Sequence, residues 1–161
     1  MTLTADLDLT DSDFTSIPTF GGTFDGGGHT ISGLSYTKDG STEGFFRYIQ
    51  EGAVVRNLRV EGILSPTGTG KNIGGIAGSN SGAISSCTFA GTIEGETNVG
   101  GIAGINEASG SIYNSAVSGT ITGIHSTGGV AGRNLGQVMG CTNSAEINTG
   151  DYEEKGGSQS L

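Results

Sequence analysis

The amino-acid sequence predicts an all-β chain wound as a right-handed parallel β-helix of about five coils, with three short strands in each coil. The first observation is a heptad-sized signature. Asn72-Ile-Gly-Gly-Ile-Ala-Gly78 returns as Asn98-Val-Gly-Gly-Ile-Ala-Gly104 and as Ser126-Thr-Gly-Gly-Val-Ala-Gly132, at spacings of 26 and 28 residues. A period of this length, with no room for a long helix inside it, marks a stacked-coil repeat. The second observation is composition: 32 glycines among 161 residues, two prolines, no tryptophan and 33% hydrophobic residues. No Gly-X-Y triplet accompanies that glycine, and the apolar residues are regularly placed, so a fold with many tight corners is expected in place of collagen or disorder.

The elements follow in chain order. Leu3, Ala5, Leu7 and Leu9 alternate with Thr and Asp, the period-two pattern of a half-buried strand. Asp11 to Pro18 form a polar excursion, and Phe20 to Ile31 re-enter the coil through glycines that permit positive φ at corners. Five segments then share the pattern apolar-x-x-apolar-x-apolar: Ile31, Leu34, Tyr36; Val55, Leu58, Val60; Ile84, Cys87, Phe89; Ile112, Ser115, Val117; and Val138, Cys141, Asn143. Their starting points lie 24, 29, 28 and 26 residues apart.

Further columns keep the same register. Gly62, Gly91, Gly119 and Ala145 make a small-residue column, Leu64, Ile93, Ile121 and Ile147 an aliphatic one, and Phe45, Ile76, Ile102 and Val130 another. The three strands of a coil are expected around Gly-Ile-Ala-Gly, around Ile-x-x-Cys-x-Phe and around Gly-Thr-Ile. Strands this short bury nothing alone, so each coil must stack in parallel on the next, about 4.8 Å away, and crossover chirality makes the helix right-handed. Asn80, Asn106 and Asn134 recur two residues after the last glycine of the signature, as a corner ladder of stacked amides. Cys87 and Cys141 share one column with Ser115 between them; two coil spacings separate them by about 9 to 10 Å, too far for a disulfide. Both are expected to be reduced, buried side chains.

Residues 1–161 thus form a single β-helix repeat domain: a leading coil over 1–34, repeat coils over 35–149, and a truncated coil or tail over 150–161. Lys155-Gly-Gly-Ser158 follows Thr127-Gly-Gly-Val130 by 28 residues, as if a further coil begins. A longer parent polypeptide is the expectation.

Charge and motifs narrow the function. The formal charge is −9 with seven Lys and Arg, which disfavours nucleic acid and anionic membrane surfaces. No apolar run approaches the roughly 20 residues of a bilayer span, and no signal-peptide pattern opens the chain. His29 and His125 are coils apart and cannot share a metal, and the acids Asp6, Asp8, Asp11 and Asp13 lack the nonapeptide of calcium β-rolls. Gly68-Thr-Gly-Lys-Asn72 fails the phosphate-loop pattern, with Ser65 and Asn72 in the wrong places. No metal, no cofactor and no catalytic residue is expected.

The Gly-Ile-Ala-Gly and Gly-Val-Ala-Gly repeats, followed by Ser79-Asn80-Ser-Gly-Ala-Ile-Ser-Ser-Cys87, resemble those of GLUG-motif proteins. Phe20-Gly-Gly-Thr-Phe-Asp-Gly-Gly-Gly-His-Thr-Ile-Ser-Gly-Leu34 resembles the leading coil that precedes such repeats. The resemblance spans residues 3 to 149 and implies a bacterial surface or secreted protein, as in the non-catalytic N-terminal regions of IgA1-specific metallopeptidases and adhesin-like repeats. The motif is structural and carries no catalytic residues to transfer.

Binding is expected on the variable loops that close each coil at one corner, with Lys71, Glu94, Glu96, His125 and Asp151 as candidates. The expected function is that of a non-enzymatic extracellular spacer or adhesive module of a larger surface protein. Its partners would be a host glycoprotein, a glycan or a cell-wall component, besides the rest of the parent chain. The competing reading is a carbohydrate-active β-helix enzyme, a lyase or glycosidase using Asp25, His29 and the first-coil acids. An accessory domain of a secreted protease is the third.

Overall fold

The computed structural model describes residues 1–149; the further coil expected from Lys155 lies outside them. Among these residues there is no helix, and all strands pair in parallel as a β-solenoid of about five turns. The strands form four sheets, to all of which the last three turns contribute and to three of which the earlier turns contribute. The broadest runs through Leu7–Asp8, Thr30–Tyr36, Arg59–Leu64, Thr88–Glu94 and Ala116–Thr122, with Thr142–Asn143 and Glu146–Asn148 both paired to the last. A second holds Thr23–Asp25, Val54–Arg56, Ala83–Ser85, Ser111–Tyr113 and Gln137–Met139, and a third holds Ile17–Phe20, Phe46–Ile49, Ala77–Asn80, Ala103–Asn106 and Ala131–Asn134. The fourth comprises Lys71–Gly74, Thr97–Gly100 and His125–Thr127.

The stacked-coil prediction therefore stands, and the three strands expected per turn are joined by a fourth in the last three turns. The Gly-Ile-Ala-Gly signature is not one strand; it is the corner between two. Gly74 and Gly100 end strands of the fourth sheet, and Ala77 and Ala103 begin strands of the third. Side chains are excluded there because the corner is tight and neighbouring turns touch: a Cβ on Gly74 would meet the carbonyl oxygen of Ala77 in its own turn at 2.2 Å and the amide nitrogen of Gly104 in the next at 2.5 Å.

Residues in the left-handed region recur at two further positions of the turn, one inside the strands of the fourth sheet and one at the corner between the second sheet and the broadest. Thr42, Asn72, Asn98 and Ser126 occupy equivalent positions with φ of 60°, 60°, 56° and 55°, and Asn57, Ser86 and Asn114 do so with 56°, 53° and 53°. Asn enters this region at lower energy than most residues with a Cβ, which explains why it recurs there. The glycine column is the strictest case. Gly119 has φ +110°, and a Cβ on Gly91 would lie 1.9 Å from the carbonyl oxygen of Gly62.

The interior is a set of files running along the axis. Tyr36, Leu64, Ile93, Ile121 and Ile147 stand in register, as do Val55, Ile84, Ile112 and Val138. Leu58, Cys87, Ser115 and Cys141 form one interior file, since the amide after each bonds to the carbonyl of the residue one turn earlier. Cys87 and Cys141 are free thiols as expected; Cys87 is fully buried and Cys141 half-buried. Burial pushes the Cys87 thiol up to about 11, so at neutral pH it is a protonated core side chain.

The leading coil departs from the sequence alignment. Phe24, not Ile31, stands beside Val55, and Ile31 stands beside Val60. Gly26-Gly27-Gly28 lengthen the corner over Leu58, where a Cβ on Gly26 would strike the Leu58 backbone at 2.6 Å. A bulge at Gly33 (φ +73°) then brings Leu34 opposite Gly62. Residues 1–9 lie along this coil, with Leu3 donating to the Asp25 carbonyl and Leu9 to that of Ser32. Only Leu7–Asp8 is a regular strand, and Leu7 is exposed. Phe14, Phe20, Phe24, Phe45 and Phe46 pack ring on ring at this end, with centroids 5.0 to 6.2 Å apart.

The asparagine ladder forms as predicted. Asn80 Nδ2 donates to Asn106 Oδ1 at 2.9 Å, and Asn106 Nδ2 donates to Asn134 Oδ1 at 2.9 Å. Asn80 and Asn106 are fully buried, so removing the middle rung takes an acceptor from Asn80 and the side-chain donor from the Gly110 and Gln137 carbonyls. Asn106→Ala is expected to lower unfolding free energy by about 2 to 4 kcal/mol in urea titration. Gly91→Ala should be worse, leaving no cooperative transition, whereas Thr92→Ala on the outer face should change stability by less than about 0.5 kcal/mol.

Candidate functional site

The corner predicted for binding exists, but its residues are not all in loops. Lys71 and His125 are strand residues, each paired in register with Thr97 between them. Glu94 ends its strand and accepts from Ser65 Oγ at 2.5 Å, while Glu96 lies in the short link to Thr97. The Glu96 amide donates to the Gly70 carbonyl, and the Glu96 carbonyl accepts from the His125 amide. The four residues thus lie along one edge of successive turns. Asp151 lies outside the described residues.

The first-coil acids considered for catalysis are engaged in holding the coil. Asp25 accepts from the Gly27 amide at 2.8 Å, and from Asn57 Nδ2 and Arg56 Nε at 3.2 Å each. These contacts, the Gly27 amide foremost, hold its carboxyl below the usual range. Asp6 is lowered likewise, chiefly by the Thr30 amide and then by His29, whose Nδ1 is 3.2 Å away. Asp13 pairs with Lys38. One buried carboxylate, Glu43, occupies the interior file of Ile73 and Val99; Ser16 Oγ donates to it at 2.5 Å and Arg47 at 3.2 Å.

A concave site lies on a different face, and it arises from turn lengths. Between the third and second sheets the links are Gly21–Gly22, Gln50–Ala53, Ser81–Gly82, Glu107–Gly110 and Leu135–Gly136, so two-residue and four-residue links alternate. The long ones are β-turns: Ala53 donates to the Gln50 carbonyl at 3.0 Å and Gly110 to that of Glu107 at 2.8 Å. Their tips, Glu51-Gly52 and Ala108-Ser109, stand out on either side of the short link at Ser81. The resulting groove has a volume of about 680 Å³ and is lined by Thr19, Tyr48, Ile49, Gln50, Glu51, Ser79, Ser81 and Ser109.

Thr19, Tyr48 and Ser79 are in register on the outer face of the third sheet and make the groove floor. Tyr48 is 46% exposed. Ser79 Oγ donates to Glu107 Oε2 at 3.1 Å, and Ser109 Oγ leans across to the Ser81 carbonyl at 3.0 Å. None of the lining residues is basic. Sequence reasoning missed this groove. The available signal was the variable distance from each ladder position to the next apolar residue.

The geometry can now be set beside known proteins. A family model described as the GLUG motif matches residues 95–122. This stretch is a GLUG motif. In the structure it is one full turn, from the link before Thr97–Gly100 to the end of Ala116–Thr122. The chain is also similar to Halomucin of Haloquadratum walsbyi (strain DSM 16790 / HBSQ001), with 38% identity over 89 residues. Those residues are 55% of this chain and 1% of that protein, so the chain spans a very small part of the length of the curated relative it matches. No solved structure matches the chain.

The lowered carboxyls carry a pH dependence. A carboxyl whose folded value lies below its ordinary 3.8 contributes stability above that pH and loses it as pH falls through the folded value. Thermal melts are expected to show a Tm that is flat above about pH 5 and declines below about pH 4, with a shallower decline in Asp25→Asn.

Proposed function

We propose that the chain is a non-catalytic repeat segment of a larger extracellular protein, a rigid spacer that presents side chains on its outer faces. The observation that carries this reading is the unbroken stack itself. Each turn, the GLUG motif among them, uses its inward residues to pack on the turns before and after it, and adding turns lengthens the rod by about 4.8 Å each without changing it. The likeness to a short part of a very long protein supports the same role, since a self-stacking turn is a unit from which long chains can be built.

The first-coil acids support the non-catalytic side of the proposal. Asp25 spends its acceptors on Gly27, Asn57 and Arg56, and His29 faces Asp6, so neither is poised toward a cleft. No helix among the described residues is long and apolar enough to cross a membrane.

Antibodies against this domain should label intact cells that produce the parent protein, and brief protease treatment of those cells should remove the label. Labelling only after permeabilisation would overturn the extracellular reading. Incubation with acidic and neutral polysaccharides should release no new reducing or unsaturated ends; release that Asp25→Ala abolishes would replace the spacer with an enzyme.

A further inference from the structure

We propose that the groove between the Gln50–Ala53 and Glu107–Gly110 turns binds a neutral oligosaccharide, an inference that rests on the surface-display reading above and gives it a ligand class. Four features of the groove point to this chemistry.

Its shape comes first. Two projecting turns separated by one short link stand two coil spacings apart, about 10 Å, which is wide enough for a pyranose chain. The volume of about 680 Å³ lies within the range of small-ligand clefts.

Its functional groups come second. Ser81 and Thr19 offer hydroxyls that both donate and accept, Ser79 and Ser109, whose protons go to Glu107 and to the Ser81 carbonyl, offer acceptors, Gln50 offers an amide, and Glu51 and Glu107 offer carboxylate acceptors. A polyol, which has a hydroxyl at nearly every carbon, is the ligand that can use such a mixed set. Tyr48 supplies the complement, an exposed ring in the floor on which the C–H face of a sugar can rest.

Charge is the third feature. With Glu51 at one tip, Glu107 against Ser79 at the base of the other turn and no basic residue in the lining, a uronic acid, sulfated or phosphorylated chain is repelled. The groove likewise does not suit a metal ion, because no group of three or more His, Cys, Asp or Glu among the described residues is placed to hold one.

The fourth feature separates a saccharide from a peptide strand. A peptide that adds to a sheet needs an edge with unpaired amides and carbonyls. Between the two turns the floor strands Phe46–Ile49 and Ala77–Asn80, which carry Tyr48 and Ser79, are each paired on both sides, so only side chains are offered there; the one edge strand in the floor, Ile17–Phe20, lies outside the pair of turns.

The test is a titration of the isotope-labelled 161-residue chain with cellohexaose, mannohexaose and maltohexaose, and with hexagalacturonate as the acidic comparison, followed by NMR and calorimetry. At least one neutral hexasaccharide should bind with Kd below about 1 mM and shift the amides of Tyr48, Ser79, Ser81 and Ser109. Tyr48→Ala should weaken binding by about tenfold or more while Tyr48→Phe keeps it within about threefold, both with an unchanged amide spectrum away from the groove. Binding of none of the neutral sugars, binding of hexagalacturonate alone, shifts confined to another face, or indifference to Tyr48→Ala would each overturn the proposal. Such a result with intact-cell labelling preserved removes the saccharide site and leaves the spacer standing; loss of the labelling itself removes the surface reading.

Discussion

The constraint on which the structure depends is that every turn must repeat the backbone path of the last at hydrogen-bonding distance. Parallel pairing at about 4.8 Å leaves no freedom along the axis, so a residue facing inward touches its own counterpart above and below. This is why the interior consists of files of like residues. It is also why the Gly62, Gly91, Gly119 column cannot accept a Cβ: the carbonyl of the preceding turn already occupies that space. Polar groups obey the same rule. The buried Asn80 and Asn106 amides are satisfied by an identical amide one turn away together with the backbone of the neighbouring links.

Variation is admitted only where it does not interrupt the stack, that is, at corners and on outward faces. The alternation of two-residue and four-residue links after the ladder is such a variation, and it turns a flat sheet face into a groove without disturbing any interior file. At the first coil the chain uses the same licence differently. The glycine run at 26–28 and the bulge at Gly33 widen the turn, and the space is filled by the cluster of five phenylalanines and by residues 1–9 laid alongside.

Much of this was legible in the sequence because repetition amplifies weak signals. The ladder asparagines, the glycine column and the Leu64, Ile93, Ile121, Ile147 file were all readable, since the same spacing recurs in turns that pair with one another. The leading coil was not. Its apolar spacing from Ile31 to Tyr36 imitates that from Val55 to Val60, and nothing local reveals that Gly26-Gly27-Gly28 shift the register. The fourth sheet was also hidden, because Asn72, Asn98 and Ser126 adopt positive φ and break the alternation that identifies a strand, so Lys71 and His125 read as loop residues. The groove escaped for a third reason: it depends on differences between turns, and repeat analysis looks for sameness.

The most direct test of the account is a methyl NOE experiment on Ile, Leu and Val-labelled protein. Leu64 should show cross-peaks to Ile93, Ile93 to Ile121 and Ile121 to Ile147, with none from Leu64 directly to Ile121, because each contact spans a single turn. Cross-peaks that skip a turn, or the absence of any path linking these four residues, would contradict the stacked interior from which every other conclusion follows.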